Sequence, residues 1–156
     1  MYLDNNTLVS GSISGNTVTP QSIYASSASV LSTNTIDLGV ARDIGAGNDY
    51  PILTTIISAA VTGGTSVEVQ AIIADDAALS SNVTVVGSSG AIPVASLVAG
   101  KRIAVELNPQ IGSKGQRYLG ARFVNVGANA AGTAVAFFGL DVQDGQKFYP
   151  VGYSVL

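Results

Sequence analysis

The sequence predicts an all-β protein, a jelly roll or two-sheet antiparallel β-sandwich, and three observations predict it. Val, Ile and Thr supply 42 of the 156 residues, and branching at Cβ suits a pleated strand better than a helix. Gly supplies 18 more, placed between apolar runs where turns are needed. Hardly any stretch repeats apolar residues at helical spacing, whereas about eight short apolar runs recur at intervals of roughly 8–15 residues, as in a sandwich or jelly roll.

A chain of this length normally makes one domain and buries roughly 70% of the surface its unfolded form exposes. One boundary is legible, near residue 34. Residues 1–34 are rich in Ser, Thr, Asn and Gly, with isolated apolar residues such as Leu8, Val9, Ile13, Val18, Ile23 and Tyr24. They read as an extended N-terminal arm or a loosely paired edge strand. Ordering a free arm costs ~1–2 kcal/mol per residue, so it is expected to move until something holds it. Residues 35–156 read as the sandwich domain.

Within that domain Thr35–Val40 is a short strand that ends in the turn-prone segment Asp43–Pro51. Ile52–Val61 and Thr65–Ala74 flank Thr62-Gly63-Gly64, the pattern of a hairpin around a glycine-bearing connection. In the second arm Val67, Val69 and Ala71 alternate with Glu68 and Gln70, which predicts a half-buried strand. Asp75–Ser81 is expected to form one helical turn. Asn82–Val86 is a strand followed by the loop Gly87–Gly90, and Ile92–Leu97 leads to a turn at Ala99-Gly100. Arg102–Leu107 puts Ile103, Val105 and Leu107 on one face, and a long loop follows through Gly115. Arg117–Val126 and Thr133–Gln143 are the last strands, separated by Gly127–Gly132. In the second, Ala134, Ala136, Phe138, Leu140 and Val142 share the core face. Phe137 stands on the opposite face, either under a neighbouring loop or at a protein interface.

Composition excludes much chemistry. There is no cysteine, hence no disulfide, thiolate nucleophile or cysteine metal site. There is no histidine, so the commonest general base and metal ligand is missing and an ordinary serine triad cannot be built. Charged residues make up 11% of the chain and the net charge is −3. Arg42, Lys101, Arg102, Lys114, Arg117, Arg122 and Lys147 are scattered, without the clustered positive footprint of nucleic-acid binding. The apolar run Ile52–Val61 is too short to span a bilayer. Residues from Met1 onward carry no basic, then apolar, secretion signal.

The best enzymatic constellation is a pair of strand-borne carboxylates, Glu68 and Glu106, since jelly-roll glycosidases place two carboxylates on one groove. Against it stand the absence of tryptophan for a sugar platform and the ordinary outward position of each glutamate in an alternating strand. Asp75-Asp76 and Asp141 with Asp144 lack the spacing of a calcium loop. Gly45-Ala46-Gly47 lacks the further glycine and lysine of a phosphate loop. No cofactor is expected.

The segments Thr33-Asn34-Thr35-Ile36-Asp37-Leu38-Gly39 and Arg42-Asp43-Ile44-Gly45-Ala46-Gly47 resemble the cement, or decoration, proteins of Bordetella-type short-tailed bacteriophages and their relatives. Leu97 with Gly100, Arg117-Tyr118-Leu119-Gly120-Ala121-Arg122-Phe123, and Gly132-Thr133 fit the same pattern, so the likeness runs over most of residues 20–145. It implies a jelly roll that binds the outer surface of the phage head, bridges subunits of the major capsid protein and forms homodimers, or alternatively trimers. It implies no catalytic residue; the scattered charges, the short apolar run and the lack of a secretion signal are what point to no nucleic acid or membrane partner and to manufacture in the host bacterial cytoplasm. A low-charge surface and open sheet edges would favour association. Ile23 and Tyr24 on the arm and Phe137 on the last strand are the candidate interface residues. The rival readings are a lectin-like or receptor-binding sandwich and the Glu68/Glu106 glycosidase.

Overall fold

Alternation of apolar and polar residues decides the strands, and the computed structural model describes them over residues 5–40, 51–107 and 116–139. In chain order the early strands are β1 (Leu8–Ser10), β2 (Ser12–Ser14), β3 (Thr17–Thr19), β4 (Gln21–Ser22), β5 (Ser29–Leu31) and β6 (Ile36–Asp37). The longer ones follow: β7 (Ile52–Gly63), β8 (Ser66–Ala74), β9 (Thr84–Pro93), β10 (Arg102–Glu106), β11 (Tyr118–Val126) and β12 (Asn129–Gly139). A single 3-10 turn, Val94–Ser96, is the only helical element among the described residues.

Two five-stranded antiparallel sheets and a separate two-stranded β2–β3 hairpin result. One of the larger sheets has the order β1-β12-β7-β10, with β4 also on β12; the other has the order β5-β11-β8-β9, with β6 also on β11. Taking β1, β5 and β7–β12 as the eight principal strands, the first pairs with the last, the second with the seventh, the third with the sixth and the fourth with the fifth. This nested pairing, rolled into two facing sheets, is jelly-roll connectivity. The registers set the inner faces. Leu53 and Ile57 of β7 stand opposite Phe138 and Ala134 of β12, and Val69 and Ile73 of β8 stand opposite Phe123 and Leu119 of β11. These side chains form the main core together with Val9, Ile23, Leu97, Ile103, Val105 and Leu107. At ~25 cal/mol per Å² of apolar surface buried, that inner layer is the chief source of stability.

Residues 5–34 are not an extended arm. β1 and β4 extend one sheet and β5 extends the other, all on the same side of the sandwich. Leu8, Val9 and Ile23 are buried. The segment is tied across the two sheets by hydrogen bonds. The Thr33 amide donates to Gln21 Oε1, Gln21 Nε2 donates to the Leu31 carbonyl, and the Asn34 amide donates to the Val9 carbonyl. The edge-strand reading is therefore the one that describes these residues, because burial of Leu8, Val9 and Ile23 together with pairing to β12 and β11 offsets the lost freedom.

Two local expectations also change. Asp75–Ser81 forms no helix: the Asp76 carboxylate accepts from the amides of Ser80 and Ser81 and from the Ser80 hydroxyl, which folds the segment into a tight turn. Such side-chain caps compete with helical hydrogen bonding. The Gly87–Gly90 loop is instead the middle of β9, held to β8 through two register shifts. The expected turn at Asp43–Pro51 (apart from Pro51), the loop Asn108–Gly115, and Leu140, Asp141, Val142 and Asp144 lie outside the described residues.

Candidate protein interface

Four connections meet at one end of the sandwich: β4–β5 (23–28), β7–β8 with the end of β7 (58–65), β9–β10 (94–100) and β11–β12 with its flanks (126–133). Hydrogen bonds stitch them together. The Ile23 amide donates to the Gly132 carbonyl, Ser27 to Gly127, Thr65 to Val126, Val94 to Thr65, and Val61 to Leu97. None of these segments contains a charged residue. Their surface is alanine, glycine, serine and threonine around exposed Tyr24 (41%), Val98 (55%) and Val126 (50%). Isolated exposed apolar residues are ordinary, but a contiguous uncharged surface with an aromatic in it has the composition of an interface core.

Beneath this end lies a buried amide network. Asn129 Nδ2 donates to Asn125 Oδ1 over 2.7 Å and to the Ser66 carbonyl over 3.3 Å. Asn125 Nδ2 donates to the carbonyls of Ile23 and Phe123. Gly64, at φ +60°, passes so close to Asn129 that a Cβ there would lie 1.8 Å from its Oδ1. The network thus fixes three of the four connections relative to one another. A fixed surface loses little entropy on docking.

The outer face of the second sheet is different in kind. There Arg122 Nε donates to Gln70 Oε1, and Gln70 Nε2 and Ser88 Oγ both donate to Glu68 Oε1. The hydroxyl of Ser88 and the amide of Gln70 hold the Glu68 carboxyl below its ordinary range. Further along, Leu79 seats on Ile72 and Ala74, over Gly120, where a Cβ would meet its Cδ1 at 2.4 Å. Arg117 grips Asp37 through both guanidinium and carboxylate forks and lies 5.3 Å from the Tyr118 ring centre. That contact lowers the Asp37 pKa to about 2. Asp37 and Arg117 lie away from the uncharged end, whereas Lys101 is exposed at its border, where its amide donates to the Val98 carbonyl.

Glu68 and Glu106 do not share a groove. Glu68 is on the outer face of β8, and Glu106 is on the outer face of β10 in the other sheet, beside Ile52. The core separates the two faces, and facing sheets are ~10 Å apart even before the outward side chains are added. The two-carboxylate arrangement is absent. An open groove of about 520 Å³ is lined by Asn5, Asn6, Leu8, Asn34, Thr35, Ile36 and Asp37. Two of its polar side chains already serve the chain: Asn34 Nδ2 donates to the Gly11 carbonyl, and Asp37 accepts from Arg117 and the Gly39 amide. No cluster of three or more possible metal ligands occurs among the described residues. No helix among them is long and apolar enough to cross a membrane.

Of the three candidate interface residues, Tyr24 is exposed at the uncharged end. Ile23 is fully buried in the core, because its backbone bond to Gly132 turns the side chain between the sheets. Phe137 is 7% exposed and is covered by Leu8, Val135 and partly buried Ile13. Leu8 and Ile13 come from the very segment expected to be an arm. Val98 and Val126 escaped notice in the sequence, although a signal exists. The longest charge-free stretches of the chain are 5–36, 50–67, 77–100 and 123–140, and each contains one of the four connections.

Open edges are also scarcer than expected. Among the described residues β1 and β5 are three residues each, β10 carries Arg102 and Glu106, and β9 has two register shifts and ends in Pro93. Short, charged and irregular edges resist strand addition.

The described residues thus make an antiparallel β-sandwich of jelly-roll connectivity with one uncharged end. The chain belongs to the Bbp16 family, a Bordetella phage protein family whose model matches residues 19–138. A search of curated proteins finds no match. The family match covers β4–β11 entirely and nearly all of β12, and so includes all four connections of the uncharged end.

Proposed function

We propose that this chain is a capsid cement protein, a non-catalytic component of the virion that binds the outer surface of a tailed-phage head and bridges subunits of the major capsid protein. The observation that carries the reading is the preformed uncharged end around Tyr24, Val98 and Val126 on a protein of a phage family. A surface so poor in charge gains little from staying in water and favours contact once a complementary surface is offered. A bridge between two subunits also multiplies weak contacts: tethering at one site raises the effective concentration at the other. Cement of this kind needs no cofactor, and its partners are the capsid protein and further copies of itself.

Quantitative mass spectrometry of purified virions tests the proposal. The expected result is copies in fixed proportion to the major capsid protein, with particles lacking the chain losing heat or osmotic resistance. Its absence from virions, or a handful of copies per particle, would overturn the reading and favour a receptor-binding role.

A further inference from the structure

We infer that residues 75–81, in the connection between β8 and β9, form a lid on the outer face of the second sheet that opens as a unit while the sandwich stays folded. The inference is independent of the capsid reading. It concerns the end of β8 remote from the uncharged connections.

The segment is closed on itself. The Asp76 carboxylate accepts from the amides of Ser80 and Ser81 and from the Ser80 hydroxyl. The Leu79 amide donates to the Asp76 carbonyl, and the Asp75 amide donates to the Ser81 carbonyl. All of these bonds stay inside the segment and move with it. Its two ends are anchored to the sandwich. The Arg117 amide donates to the Ala74 carbonyl, and buried Gln116 donates through Nε2 to the Asn82 carbonyl and the Thr84 hydroxyl. Between those anchors Leu79 is the only buried residue.

Leu79 is also the strained one. Its φ is +54°, in the left-handed region where a Cβ crowds the following carbonyl and glycine or asparagine is the usual occupant. Asn82, at φ +51°, is such an occupant. A leucine holds this conformation because its side chain fills the hole above Gly120, where a Cβ would lie 2.4 Å from Leu79 Cδ1. One apolar contact thus holds down a segment whose own backbone opposes the position. Segments with so few buried contacts are the ones that open below the global unfolding free energy. Beneath the lid lie Ile72 and Ala74, fully buried although they face outward, with Val83 and Tyr118 at the border. Val85 is paired with Ile72 and is exposed. Opening therefore joins a single exposed valine to a newly bared apolar strip.

The chain has no cysteine, so thiol labelling reads the motion directly. Ile72 and Ile73 are neighbours on β8 and both fully buried, yet Ile72 lies under the lid and Ile73 in the main core. Ile72→Cys and Ile73→Cys are made separately in the full chain, shown to be folded by melting curves, and exposed to an aromatic disulfide reagent in native buffer. Ile72→Cys is expected to react about 10-fold or more faster than Ile73→Cys, because the lid opens more often than the sandwich unfolds. Fraying of β8 or global unfolding exposes both positions alike, so equal rates would overturn the lid. Should an isoleucine variant fail to fold, Ala74→Cys under the lid and Ala71→Cys in the main core repeat the comparison, read the same way. Adding Leu79→Gly, which suits the left-handed backbone but has nothing to seat, is expected to speed the reaction of Ile72→Cys by about 10-fold or more again. An unchanged rate would overturn the assignment of Leu79 as the contact that holds the lid shut.

Discussion

Asn129 and Asn125 form a buried amide pair, 2.7 Å from Nδ2 to Oδ1, at the point where the two sheets are closed by their connections. Each is at most 5% exposed. Through Asn125 the pair reaches the Ile23 carbonyl, and through Asn129 the Ser66 carbonyl. It lies beside the stretch where β12 pairs with β7 through three successive register shifts.

Asn125→Ala leaves the Ile23 carbonyl and the Asn129 amide short of partners, and should destabilise the fold by about 2 kcal/mol. Asn129→Ala should cost a similar amount, and the double variant less than the sum, since the residues share one network. Urea unfolding of the three variants measures this. Simple additivity would mean that the pair does not act as a unit.

Gly120 leaves room for Leu79. Gly120→Ala should displace that side chain and cost about 1–3 kcal/mol, as overpacking does. Leu79→Ala alone should cost about 2–4 kcal/mol through the lost contact with Ile72 and Ala74. In the Leu79→Ala background the added methyl of Gly120→Ala has space, so its cost should nearly vanish. A full double-mutant cycle in denaturant reads the coupling.

Thr55 faces the core between Ile103 and Ala136, and its hydroxyl is buried without a hydrogen-bond partner. Thr55→Val keeps the shape and removes the stranded polar group. It should stabilise the protein by about 1 kcal/mol, seen as a higher denaturation midpoint with an unchanged slope. A loss of stability would show that the hydroxyl is satisfied in solution.

Phe137 packs against Leu8 of the neighbouring strand β1 and Ile13 of β2, so it should behave as core. Phe137→Ala should cost about 3 kcal/mol or more, whereas Tyr24→Ala at the exposed end should change stability by less than about 0.5 kcal/mol. Melting curves separate the two.

The carboxylates set the acid limit. Asp37 is lowered to about 2 by Arg117, and Asp76 and Glu68 are lowered by the hydroxyl and amide groups that donate to them. A carboxyl lowered in the folded state stabilises fully above its unfolded value, here 3.8 for the aspartates and 4.5 for Glu68. That contribution is lost as the pH falls through the folded value. Stability should therefore decline from about pH 5 toward pH 2. Asp37→Asn should make the decline shallower, as followed by thermal melts across that range. An identical slope in the variant would remove Asp37 from the account.

How much of this was legible beforehand follows from the range of each interaction. Strand character, the hairpin around Gly63-Gly64 and the inward faces of β8, β10 and β12 are written in neighbouring residues, because a strand alternates with a period of two wherever one face is buried. Val67, Val69, Ile103, Val105, Ala134 and Phe138 are accordingly where the pattern puts them. The lack of cysteine and histidine likewise bounds the chemistry without any coordinates.

Tertiary structure alone decided the rest. Leu8, Val9 and Ile23 look like stray apolar residues in a polar segment until β12 and β11 supply the surfaces that bury them. Phe137 is half of an ambiguity that only β1, over 120 residues away in sequence, resolves. Glu68 and Glu106 look equivalent along the chain, yet the sheet order places the core between them. The uncharged end is assembled from four distant stretches, each unremarkable alone. Periodicity is a property of adjacent residues, but a surface belongs to residues that meet only after the sheets have paired.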